Sequence, residues 1–82
     1  MNLSGKQLKK IHILAHEIGM DRITRVRCMI EWYGKNSSKN LTVDDAINFI
    51  NRLEEISAGT MQLAFTSDGE PFVQTIEKEN EQ

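Results

Sequence analysis

The stretch Ser37-Ser38-Lys39-Asn40-Leu41-Thr42 decides how this chain is read. Its first four residues are small or polar. Thr42 is then followed by Val43-Asp44-Asp45, a hydroxyl side chain ahead of two acids. That is the composition of a helix start, where the hydroxyl caps a free backbone N–H and the helix dipole favours negative charge. Leu41 and Ala46 stand at the spacing of a hydrophobic staple across the same boundary. The run is therefore a tight connection between two helices.

Working back from it, Gly34 closes an apolar pattern that begins at Met20-Asp21, with Asp21 as the N-cap. Ile23, Val26, Ile30 and Tyr33 form the main stripe of that helix, and Cys28, Met29 and Trp32 widen it to one side. An earlier helix starts at Ser4, which has the capping-box spacing to Gln7. Its stripe is Leu8, Ile11, Leu14, Ala15 and Ile18, and Gly19 ends it. Lys6, Lys9, Lys10 and Glu17 lie off that stripe and are expected to face water.

Downstream of Thr42, Val43, Ala46, Ile47, Ile50, Leu53 and Ile56 form a third stripe, closed by Ser57-Ala58-Gly59. The period then changes. Met61, Leu63 and Phe65 alternate with Gln62, Ala64 and Thr66, and Asp68-Gly69 is a hairpin turn signal. Centring the turn on that pair sets Phe65 opposite Phe72 and Met61 opposite Ile76. Pro71 lacks a backbone donor and is expected at an outward or edge position. The expected architecture is mainly α. A compact domain over 1–59 has helices at about 5–18, 22–33 and 43–57, a β-hairpin over 60–76 packs on it, and 77–82 is an acidic fraying end.

Eighty-two residues suffice for one small domain. Such a chain buries only about 60% of its unfolded surface, which leaves little room for an enclosed cofactor site. One cysteine, Cys28, cannot close an internal disulfide, which suits a reducing compartment. The start Met1-Asn2-Leu3-Ser4 has no apolar leader and no run reaches bilayer length, so a cytoplasmic protein without a membrane partner is expected. Charge is divided unevenly. Residues 1–40 hold eight basic and three acidic side chains, a net of +5, while residues 41–82 hold two basic and nine acidic, a net of −7. Such asymmetry suits an anionic partner for the basic half, or mutual neutralisation within the fold.

The chemistry-bearing residues do not assemble a reaction. His12 and His16 are four apart, but the sequence has no H-E-x-x-H, no C-x-x-C and no second ligand pair, so neither metal nor cofactor is expected. Cys28 lies mid-helix with no recognisable base and is expected to be inert. The candidate site is instead the basic half: Lys6, Lys9, Lys10, Arg22, Arg25, Arg27, Lys35 and Lys39, with Trp32 as a stacking side chain for a nucleic-acid base. With antiparallel helices, Lys6, Lys35 and Lys39 are expected to converge beside Trp32 and Tyr33.

Lys10-Ile11-His12 with Leu14, Gly19-Met20-Asp21, Tyr33-Gly34, and the run Ser37–Thr42 with Ala46, Ile50 and Leu53 together resemble the GemA-type phage regulatory proteins. Similar modules end phage recombination and replication proteins. The likeness covers about 6–56 and is most specific in the S-S-K-x-L-T run. It implies a non-enzymatic phage or prophage protein that modulates transcription, recombination or replication. Joined to the charge pattern, the expectation is DNA contact through the basic half. The alternative is an interaction module or small inhibitor that engages a host or phage protein of nucleic-acid metabolism through its hairpin and acidic half. A second copy of the chain is a further candidate partner, because a thin core leaves apolar surface to cover.

Overall fold

Thr42 starts its helix as its neighbours require. Its Oγ1 accepts the Asp45 N–H at 3.0 Å, and an Asp45 carboxylate oxygen accepts the Thr42 N–H at 3.3 Å, a reciprocal capping box. The computed structural model describes residues 5–76. Within them the chain forms α1 (Gly5–Glu17), α2 (Arg22–Tyr33), a 3-10 turn at Ser38–Asn40, α3 (Val43–Ala58), and the strands β1 (Met61–Phe65) and β2 (Pro71–Thr75). The fold is mainly α with a C-terminal two-stranded antiparallel hairpin. Ser4, read above as a cap, and the acidic end 77–82 lie outside the described residues.

α1 packs chiefly on α3, burying Ile11, Leu14 and Ala15. Asp21 caps α2 by accepting the Thr24 N–H at 2.8 Å, and Gly34 ends it at φ 71°, a left-handed conformation that only glycine adopts without strain. The buried face of α2 differs from the expected stripe. Cys28 and Met29 are buried and Trp32 and Tyr33 pack against the core, while Ile23 is 75% exposed and Ile30 is 52% exposed. Apolar residues surround this helix on most sides, so periodicity alone does not select one face. The aromatic pair selects it, because Phe49 and the Pro71 carbonyl supply partners there.

Phe49 is the largest fully buried side chain, and the expected stripe of α3 omits it. The observed seam is Ala46, Phe49 and Leu53, with Ile50 packed beside it. Ile47, counted in the expected stripe, is 47% exposed. Residues 46, 49, 50 and 53 share one helical face, and Ile47 is turned about 100° from Ala46, at 3.6 residues per turn. The Phe49 ring lies 6.0 Å from that of Trp32 and 5.6 Å from that of Tyr33, in edge-on and tilted arrangements.

The hairpin register is shifted by one residue from the expected one. Phe65 pairs with Pro71, Leu63 with Val73 and Met61 with Thr75. The connection is a three-residue loop rather than a two-residue turn. Gly69 donates to the Thr66 carbonyl at 2.9 Å, Thr66 N–H donates to the Glu70 carbonyl at 2.9 Å, and Gly69 takes φ 85°. Thr66 Oγ1 also accepts the N–H groups of Asp68 and Glu70, which favours the longer loop. A one-residue slip reverses every side chain of a strand. Phe72 therefore faces out at 37% exposure, and Pro71, expected at an outward or edge position, is on an edge strand but buried. Pro71 tolerates burial because the residue pair 66/70 carries the ladder bond, leaving the next pair, 65/71, without any need of a donor.

Two bonds fix the hairpin to α2: Trp32 Nε1–H donates to the Pro71 carbonyl at 3.0 Å, and Arg27 Nη1–H donates to the Gly69 carbonyl at 3.1 Å. Phe49→Ala removes the ring that joins α2 to α3 and is expected to destabilise the chain by about 3–5 kcal/mol. Ile47→Ala, on the exposed side, should stay within about 0.5 kcal/mol of the native value. Urea unfolding of the two variants checks the contrast; equal losses would show the seam to be wrongly placed.

Candidate nucleic-acid interface

The nine residues expected to contact nucleic acid do not form one surface. Lys10 pairs with Glu54 at 3.0 Å across α1 and α3, and Lys35 pairs with Asp45 at 3.4 Å. Both pairs are partly exposed, so each contributes about 0–1 kcal/mol, yet each still holds a cation beside an acid. Arg27 is turned to the hairpin. Trp32 has its N–H bound to Pro71, its ring edge-on to Phe49, and the Arg52 guanidinium 4.5 Å from its ring centroid. It is a core and hairpin anchor, not the free stacking side chain expected.

The expected patch of Lys6, Lys35 and Lys39 is likewise not formed. Lys6 and Lys9 border a shallow groove on α1 with Lys10, Ile13, Leu14 and Glu17. Lys35 is drawn to the start of α3, because the capping acids of that helix follow the connector directly. Lys39 faces elsewhere.

The structure brings together Arg22, Arg25 and Lys39, in a cleft of about 300 Å³ between α1, α2 and the connector. Leu8 and His12 of α1, Val26 and Met29 of α2, and Asn36, Ser37 and Ser38 of the connector complete its lining. No carboxylate side chain of the described residues lines it. Ser38 is buried, and its Oγ lies 3.2 Å from His12 Nε2, a hydrogen bond whose donor is set by the imidazole tautomer. Ser37 Oγ accepts the Lys39 N–H at 3.3 Å and so shapes the 3-10 turn that carries Lys39. Arg25 Nε is buried without a hydrogen-bond partner among the described residues. A buried donor left unpaired costs about 1–3 kcal/mol, which an acceptor entering the cleft would recover.

His12 titrates below its ordinary value, because partial burial disfavours the imidazolium and the Arg25 charge opposes it. At neutral pH the cleft therefore holds two guanidinium groups, one ammonium, and neutral imidazole and hydroxyl groups. That set suits an anion with several acceptor oxygens, such as a phosphodiester. His12 and Ser38 were not among the residues expected from sequence to contact nucleic acid. The available signal was that Leu8 and His12 are four apart and share a face, so a polar group borders the core there.

The other reactive groups stand apart. Burial pushes the Cys28 thiol up to about 11, against the opposing Arg52 charge. Burial pushes the Tyr33 phenol up to about 12, again against Arg52, and its hydroxyl donates to Asn48 Oδ1. His12 and His16 are exposed, and no three potential metal ligands lie together among the described residues. No helix of the described residues is long and apolar enough to cross a membrane.

No family model matches the chain, and no curated protein or solved structure is significantly similar to it.

Asp45 carries a pH dependence. Desolvation is the largest single influence and works against its charge, but the Thr42 N–H and hydroxyl and the Lys35 ammonium together outweigh it and hold the carboxyl below its ordinary 3.8. A depressed acid stabilises the fold above its unfolded pKa, and that stabilisation is lost as pH falls through the folded value. Asp45→Asn should lower the melting temperature at neutral pH and make its fall below pH 3.8 shallower. An unchanged acid limb in thermal scans from neutral to strongly acid pH would refute this. Cys28 should stay unreactive toward a disulfide reagent at mildly alkaline pH until the chain is unfolded, when it should react at the rate of a free thiol.

Proposed function

We propose that this chain is a non-enzymatic phage or prophage accessory protein that modulates DNA transactions by holding the DNA backbone in the Arg22–Arg25–Lys39 cleft. The observation that carries the reading is the convergence of three cations around a buried arginine donor, with neither a lining carboxylate nor an acceptor for that donor among the described residues. Phosphate contacts supply sequence-independent affinity. The resemblance of residues 6–56 to GemA-type proteins supports the biological setting, because the cleft-forming residues His12, Arg22, Arg25 and Ser37–Lys39 fall within it. The burial of Cys28, with its thiol pushed up to about 11, supports a binding role over a thiol-based catalytic one. Cytoplasmic action beside the host chromosome belongs to the same reading.

A second reading is favoured by the hairpin. Phe72 is 37% exposed on the outward face of the hairpin, near Glu70 and Asp68 at the loop. Such a surface suits docking to a host or phage protein of nucleic-acid metabolism.

Titration of duplex DNA across salt separates the readings. With each neutralised phosphate contributing about −0.9 to the log–log slope, the native chain is expected to show a slope of about −2 to −3. Arg25→Gln with Lys39→Gln should reduce its magnitude by about 2, while Lys6→Gln with Lys9→Gln should leave more than half of it. Absence of binding at about 50 mM salt, where phosphate contacts are strongest, would sink the DNA reading and leave the hairpin surface. Loss of a captured protein partner on Phe72→Ser would then support the second reading.

A further inference from the structure

The exposed side of α2 is unusual for a helix in so small a chain. Ile23 at 75% exposure, partly buried Val26 and Ile30 at 52% exposure recur at helical spacing along one face. Together with Pro71 and the hairpin loop they line a groove of about 580 Å³. Single exposed apolar residues need no explanation, but a contiguous apolar stripe at the rim of a groove marks an interaction surface.

The charges flanking the stripe say what fits it. Arg22 precedes Ile23 and Glu31 follows Ile30. Both are exposed, and neither has an ion-pair partner among the described residues. The order basic, apolar, apolar, acidic is complementary to itself when reversed. Counting inward from the ends, Arg22 matches Glu31, Ile23 matches Ile30, and the midpoint falls between Val26 and Arg27. A parallel arrangement would set Arg22 on Arg22 and Glu31 on Glu31, so charge alone selects the antiparallel one. A two-fold axis requires such a patch, because one surface must serve both partners. Arg27, near the midpoint, also lines the groove, and its guanidinium donates to the Gly69 carbonyl of its own hairpin, with Glu70 of the same loop in the lining.

We propose that α2 is a self-association face: two copies of the chain pair antiparallel about an axis between Val26 and Arg27, with Ile23 on the second copy's Ile30 and Arg22 on the second copy's Glu31. Ile23 and Ile30 are two helical turns apart, about 10.5 Å at 1.5 Å per residue, and Arg22 and Glu31 flank them half a turn apart on opposite sides, so the apolar contact spans the middle of the helix and the ion pairs reach across it when the two helices cross at about 50°, the common inclination of packed helices. The arrangement does not depend on DNA. Arg22 and Val26 border both surfaces, and pairing Arg22 leaves Arg25 and Lys39 to hold the adjoining cleft.

Sedimentation equilibrium of the full chain without DNA tests the pairing, with circular dichroism as the check on folding. The native chain should show a reversible monomer–dimer equilibrium between micromolar and millimolar concentration, and Ile23→Asp should be monomeric throughout. Arg22→Glu and Glu31→Arg, each alone, put like charges at both ends and should weaken association about tenfold. An equimolar mixture of these two variants restores opposite charges at both ends, so the mixed dimer should form with native affinity. A native chain that is monomeric up to millimolar concentration overturns the proposal. So does a mixture that associates no better than either variant alone.

Discussion

The Phe49 ring is the constraint on which the rest of the structure depends. It is fully buried, it meets Trp32 and Tyr33 through ring contacts, and it sits on the seam that α3 presents to α1. These contacts decide which side of α2 turns inward. Once Trp32 is inward, its indole N–H needs an acceptor, since a buried donor without one is costly. The Pro71 carbonyl supplies it, and the position of the hairpin follows. The exposure of Ile23 and Ile30 is the other consequence of the same choice.

Electrostatics are divided by the order of the elements. The connector runs straight into a helix whose first turn holds Asp44 and Asp45, so Lys35 is neutralised by the acids that cap that helix. Lys39, carried on the 3-10 turn, escapes toward α1 and α2 and joins Arg22 and Arg25. The net +5 of the first half is thus not a patch. Part of it closes the fold, part is solvated on α1, and a minority converges where no carboxylate of the described residues competes. His12 and Ser38 shape that convergence through a bond between residues 26 apart in sequence.

Much of the fold was legible in the residues themselves. The caps at Asp21 and Thr42, the helix ends at Gly34 and Gly59, and the change of period at Met61 are local devices, each satisfied within a few residues of chain. The errors lie where a choice between equal local options is made by distant atoms. Ile47 and Phe49 are both apolar and two apart, and only the approach of α1 and α2 separates them. Asp68-Gly69 permits both a two-residue turn and a three-residue loop, and the Thr66 hydroxyl together with the anchoring of Pro71 and Gly69 on α2 selects the longer. Of the candidate site, the residue types were legible and their grouping was not, because eight cations on three short elements can be sorted into many patches.

The sequence by itself therefore determined three helices, their caps and a terminal hairpin, because backbone hydrogen-bond needs and hydrophobic period act over single turns and pairs of strands. Only the tertiary structure decided which face of α2 is buried, which register the hairpin takes and which cations share a cleft. Those outcomes depend on ring packing, on one indole donor and on ion pairs between residues far apart in the chain, none of which leaves a periodic trace in the sequence.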